Sequence, residues 1–140
     1  MKHTIFLCAS MHFYRELVEI EKELEAKGFI VHIPVSAQLM KEQNNFEVTQ
    51  FKSFQTNKQK TQCIRTNFQT IAKSDSILVV NNEKNGIKGY IGPNVLMEIG
   101  LAFYCKKKIY IWNSLEENAG CKEELKTFGV EFINRDVNKV

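Results

Sequence analysis

Apolar positions along this chain alternate between two spacings. Residues 4–9 (TIFLCA) form an unbroken apolar run closed by Ser10, and behind it Phe13, Leu17, Ile20 and Leu24 recur at helical spacing up to Gly28. The pair predicts a strand followed by a helix with a glycine at its C-terminal end. Residues 29–33 (FIVHI) are a second short β-branched run, stopped by Pro34, and complete a strand–helix–strand unit. From 35 to 60 the pattern dissolves. The segment is rich in Gln, Asn and Lys, its apolar residues Phe46, Val48, Phe51 and Phe54 keep no period, and it predicts an irregular or partly helical excursion over one edge.

Order returns at Thr61, where Ile64, Phe68, Ile71 and Ala72 stripe a helix leading into residues 76–80 (SILVV), a run that reads as a central parallel strand buried on both faces. A polar loop with three glycines follows over 81–92, and Pro93 starts a helix through Tyr104 with Val95, Leu96, Ile99, Ala102 and Phe103 facing inward. Residues 108–112 (KIYIW) predict a fourth strand, 122–128 a short helix closed by Gly129, and 130–133 a fifth strand. This alternation predicts a single α/β domain over residues 1–140: an open, parallel five-stranded sheet with helices on both faces. Ligands of such sheets collect at the carboxyl ends of the strands, beside a switch in strand order. The loops to watch are therefore 10–12, 81–92 and 113–120.

Composition narrows the function. The chain has 140 residues, 44% hydrophobic and 25% charged, which suits one folded domain and excludes a disordered or fibrous chain. No apolar run approaches the ~18 residues of a membrane helix, and the first is too short for the core of a signal peptide, so a cytoplasmic protein without a membrane partner is expected. The formal charge of +3 is small and scattered, which argues against nucleic acid, and the run Lys106, Lys107, Lys108 reads as a solvated turn. Cys8, Cys63, Cys105 and Cys121 show no metal or disulfide spacing and read as reduced thiols, three of them in apolar surroundings that suit the core. His12 has Glu16 at helical spacing and no third ligand. No metal and no cofactor are expected.

The glycine-bearing loop before Pro93 invites comparison with a phosphate cradle. Neither G-x-x-x-x-G-K-[ST] nor G-x-G-x-x-G is present, and the glycines equally suit a long turn. Glu98 carries more information. It falls in the second turn of its helix among mostly apolar neighbours, so desolvation would raise its pKa while the positive end of the helix would lower it. Asp75, at the start of the third strand, reads as structural, capping the turn before it. Ser10 ends the first strand, where free backbone N–H groups suit an anion or a sugar hydroxyl, or where the side chain merely caps its helix.

The segments FLCASMHFYRELVEIEKELEAKGFIVHIP, IRTNFQTIAKSDSILVVNNEKNGIKGYIGPNVLMEIGLA and KKIYIW resemble the nucleoside 2-deoxyribosyltransferase-like family. The resemblance implies a flavodoxin-like (Rossmann-like) sheet, and an E-x-G-x-A mark matched by Glu98, Gly100 and Ala102 (EIGLA) implies that Glu98 is the nucleophile toward the anomeric carbon. A carboxylate beneath the sugar suits an oxocarbenium-like centre, which it stabilises or captures covalently. The implied substrate is a nucleoside or nucleoside monophosphate, handled by a transferase or a hydrolase, with Ser10, Met11, Phe13, Asn67, Tyr90, Gly92 and Asn94 contacting it and Phe13 or His12 beside the base. Three positions depart from the family. Asn67 stands where its enzymes carry a catalytic aspartate, Gly92 where they carry an acidic or hydroxyl residue, and the first strand ends in Cys8, Ala9, Ser10 and Met11 without a glycine before the serine. A non-catalytic nucleotide-binding or sensing module is the alternative. Members of the family pair to close each other's clefts, and Phe46, Phe51 and Phe54, as an exposed aromatic patch, predict a homodimer or larger assembly.

Overall fold

The computed structural model describes residues 1–117 and 119–140; Asn118, inside the 113–120 loop, lies outside the described residues. Five parallel strands, β1 (Thr4–Ala9), β2 (Ile30–His32), β3 (Ser76–Val80), β4 (Lys108–Ile111) and β5 (Glu131–Phe132), lie in the order β2-β1-β3-β4-β5. The chain moves outward from β1 to β2, returns across to β3, then continues outward on the other side, so the order reverses between β1 and β3. The flavodoxin-like α/β class read from the sequence holds.

Alternation along β1 divides the core. Ile5, Leu7 and Ala9 face one layer with Leu78, Val80, Tyr110 and Trp112, covered by α1 (Tyr14–Ala26) through Leu17, Ile20 and Leu24 and by α2 (Val35–Gln43) through Ala37 and Met40. Phe6 and Cys8 face the other with Ile77, Val79, Ile109 and Ile111, under Ile71 of α4 (Asn57–Lys73), Val95, Ile99 and Ala102 of α5 (Pro93–Tyr104), and Leu125 of α6 (Lys122–Thr127). β3 is buried throughout, as a central parallel strand must be.

Five expectations are corrected. Leu96 and Phe103, expected to face inward with Val95, Ile99 and Ala102, are exposed on α5. Residues 35–60 are largely helical: α2, a short α3 (Val48–Ser53) and the start of α4 occupy most of them, and α4 begins with a capping box in which Thr56 and Gln59 satisfy each other's backbone N–H. The irregular apolar spacing arose because the helices are short and turn between faces, with Asn44 in a left-handed conformation closing α2. Phe46 and Phe51 pack against the core, so the aromatic patch reduces to Phe54, 77% exposed. Of the four thiols only Cys8 is buried, the other three being half-buried. Asp75 is structural in a different way from that expected: its carboxylate accepts from the Thr4 backbone N–H and hydroxyl, at 2.8 and 3.0 Å, and its own N–H donates back to Thr4, which clips the starts of β1 and β3 together.

Candidate active site

The strand-order reversal opens a cleft of about 420 Å³ over the carboxyl ends of β1 and β3. Its floor is Glu98, which α5 delivers because Pro93 fixes the start of the helix at the end of the 81–92 loop. Glu98 is only 7% exposed. Burial alone pushes its pKa up to about 8, with no neighbouring cation or hydrogen-bond donor to oppose it. Desolvation thus sets its protonation, and the carboxyl is mostly protonated at neutral pH. Cys8 and Tyr14 are close enough to feel its charge, and burial pushes both the thiol and the phenol up, so neither ionises near neutrality.

Of the residues singled out in the sequence, Ser10, Met11, Asn67, Tyr90, Gly92, Asn94 and Glu98 all line the cleft. Phe13 does not. Its side chain is buried in the core and meets the Tyr90 ring edge-on at 6.5 Å between centroids, so it supports Tyr90 rather than facing a ligand. The helical period had placed Phe13 correctly among the inward residues; it lies in the 3-10 turn just before α1, and its side chain turns to the core. His12 is exposed and outside the lining, and its expected neighbour Glu16 is engaged by Arg135 and Asn82 instead.

Asn67 has a fixed task at one end. Its Oδ1 accepts the Val35 N–H at 3.0 Å, tying α4 to the first turn of α2, which leaves the amide N–H₂ as what it offers to the cleft. At Gly92 a Cβ would lie 3.3 Å from the Tyr90 phenol oxygen, a tight contact that the ring would have to yield to. The Tyr90 ring also carries Lys84, with Nζ at 4.8 Å from the centroid. The remaining glycines of the loop shape turns and cradle nothing: Asn85 and Gly86 form a left-handed tip between Lys84 and Ile87, and Gly89 presses so close to the Ser114 carbonyl that a Cβ would sit 2.5 Å from it.

Ser10 lines the cleft and does not cap its helix. Its hydroxyl caps no backbone N–H and lies 3.3 Å from His12 Nδ1. Ser10→Ala is therefore expected to weaken ligand affinity while changing stability by less than about 0.5 kcal/mol; unfolding and binding measured together check this, and a loss near 1 kcal/mol at unchanged affinity would restore a capping role.

The sequence reading missed the cations of the mouth. Lys52, Lys60 and Lys84 line the cleft, and among the described residues none has an acidic partner within ion-pair distance. Lys52 and Lys60 lie in the segment without periodicity, and no local pattern brings them to Glu98. The Tyr14 hydroxyl, hydrogen-bonded to Ser36 at 2.8 Å, was missed for the same reason.

Sheet order, cleft position and buried carboxyl define an open flavodoxin-like α/β protein with a cleft at its switch point. Two solved structures carry the same fold. A CMP N-glycosidase from Clostridium botulinum is 22% identical, with 93% of this chain covering 87% of that one at a TM-score of 0.53. A 2-deoxyribosyltransferase from Bacillus psychrosaccharolyticus is 16% identical, with 84% of this chain covering 77% of that one at a TM-score of 0.60. The resemblance read from the sequence is thus borne out at the level of the fold. No family model and no curated protein matches the chain.

Proposed function

We propose that the protein is a divergent member of the nucleoside 2-deoxyribosyltransferase-like family and breaks the N-glycosidic bond of a nucleoside or nucleotide with Glu98 as nucleophile. The observation that carries this reading is a lone, unpaired carboxyl held at the floor of a cleft whose rim is built from Ser10, Asn67, Tyr90 and Asn94. A protein rarely leaves a carboxyl desolvated without a partner unless the partner arrives with the ligand. An anomeric carbon developing positive charge is such a partner, and both fold neighbours act on bonds of this kind by name. The test is release of free base from a panel of ribo- and deoxyribonucleosides and their monophosphates; no release from any of them would sink the reading and favour the sensing module. That module draws support from one feature, the amide at position 67 in place of an acid.

Asn67→Asp probes it. The aspartate keeps an oxygen for the Val35 N–H, so the fold tolerates it, and its second oxygen replaces the amide facing the cleft. The rate on substrates whose base needs a proton is expected to rise about 10²-fold on the acid side, the scale of one general acid. An unchanged pH–rate profile would show that position 67 does not meet the leaving group.

We also read the chain as a cytoplasmic homodimer or larger assembly, on the outer face of α5, where Leu96, Phe103 and Tyr104 are exposed, rather than on residues 46–54. The four thiols are unpaired, and no helix among the described residues is long and apolar enough to cross a membrane. A light-scattering mass of at least two chains is expected, and Tyr104→Lys should lower it.

A further inference from the structure

The cleft has a neighbour. A second groove of about 550 Å³ runs between α2, α3 and α4, and Gln55 and Cys63 line both spaces, so the two adjoin. The divide carries positive charge: Lys52 and Lys60 line the cleft, while Phe51 and Gln59, beside them in sequence, line the groove. Neither lysine has an acidic partner among the described residues, and with Lys84 they set three cations against a single carboxyl in the cleft. A ligand bridging the two spaces would bring at least two negative charges to its middle. The groove offers the exposed ring of Phe54 beside the side-chain amides of Gln50 and Gln62, a π-face with both donors and acceptors, which is what an unpaired base needs.

The cleft also lacks an acid. Glu98 is its only carboxyl and cannot be both the nucleophile and the acid of one step, Asn67 supplies an amide, and the Tyr14 phenol holds its proton too tightly to serve near neutrality. A base that must be protonated to depart is poorly served here. A base bound through a cationic ring nitrogen needs no proton, because it leaves neutral.

We propose that the substrate is a dinucleotide whose reacting base is a pyridinium of the nicotinamide type, with its nucleoside in the Glu98 cleft, its phosphate bridge on Lys52 and Lys60, and its second nucleoside in the groove beside Phe54. This rests on the N-glycosidic reading and narrows it. In the first step the C1′–N bond breaks, its electron pair staying on the pyridine nitrogen, which becomes neutral, while a Glu98 oxygen bonds C1′. In the second, water bonds C1′, the ester bond to Glu98 breaks, and one proton passes to solvent. The cationic base has a further use: beside Glu98 it favours the carboxylate, so the ligand itself charges the nucleophile that burial keeps protonated.

The experiment assays the purified chain with oxidised nicotinamide adenine dinucleotide, its reduced form, nicotinamide mononucleotide and CMP. Nicotinamide release from the oxidised dinucleotide is expected. The reduced form, whose ring nitrogen is neutral, should react at least 10²-fold more slowly, and the mononucleotide should show at least a 10-fold higher KM. Lys60→Gln should raise the dinucleotide KM about 10-fold, and Phe54→Ala, at a side chain 77% exposed, should narrow the KM gap between dinucleotide and mononucleotide. Faster base release from CMP than from the oxidised dinucleotide would overturn this proposal and leave the N-glycosidic reading standing, as would equal KM values for dinucleotide and mononucleotide. No base from any of the four, nor from the nucleoside panel, would remove both.

Discussion

Glu98→Gln should make the protein more stable and at least about 10²-fold less active. The two effects have one cause. The carboxyl is buried at the floor of the cleft, with its pKa pushed up to about 8. Between about pH 4.5, where the unfolded chain loses this proton, and about pH 8, where the folded chain does, the folded state binds more protons, so stability falls as pH rises across that window and is flat above it. At pH 7 the penalty is of the order of 3 kcal/mol. Glutamine has nearly the same volume and no charge to desolvate. Urea unfolding should therefore show a variant more stable at pH 8 and indistinguishable at pH 4, and equal stability at both would show that the site is better solvated than its burial indicates. Turnover moves the other way, because the amide cannot stabilise or capture the anomeric centre, and removing one preorganised group costs about 10²–10³-fold. The kcat/KM of the wild type should rise toward pH 8 as the carboxylate forms. A wild type no faster than Glu98→Gln on any substrate would leave the nucleophile unsupported.

Asn81→Ala should produce the largest loss of stability among substitutions at the rim. Asn81 is fully buried at the end of β3, and its side chain mimics a peptide: Oδ1 accepts the Asn113 N–H and Nδ2 donates to the Asn113 carbonyl, each at 2.8 Å. Asn113 answers with its own amide, donating to the Asn81 carbonyl at 3.1 Å and to Asn82 Oδ1 at 3.2 Å. Asn82 and Arg135 extend the network to Glu16 of α1. This lock joins the loops after β3 and β4 and thereby holds the segment that brings Tyr90 and Lys84 to the cleft. Alanine would strand both backbone groups of Asn113, which costs about 2–4 kcal/mol and lowers Tm by roughly 10 °C in a domain of this size. The substrate KM should rise with it as the Tyr90 loop loosens. A loss below about 0.5 kcal/mol would show that water replaces the amide without cost.

The strands and their order along the chain were legible because each is an apolar run long enough to override local propensity, and because Pro93 and Gly28 punctuate helices in the way backbone geometry demands. Glu98 was legible for a similar reason: a carboxylate among apolar positions stands out. Phe13 was misread because period alone says which residues share a face, not whether the face meets sheet or solvent. The helices of residues 35–60 were missed because α3 is six residues long and takes its stability from Phe46 and Phe51 packing on the core, a contact that no window of sequence contains.

The sequence by itself determined an open parallel α/β sheet, the helix that carries Glu98 and two of the three loops expected at the site, 10–12 and 81–92, since all of these follow from the spacing of apolar residues and from backbone constraints that act within a few positions; no described residue of 113–120 lines the cleft. The tertiary structure alone decided what surrounds the carboxyl. Lys52, Lys60 and Lys84 converge with it only once α3, α4 and the 81–92 loop close over the switch between β1 and β3. That no described residue pairs with the carboxyl is likewise a property of packing, because desolvation depends on every neighbour in space and on almost none in sequence.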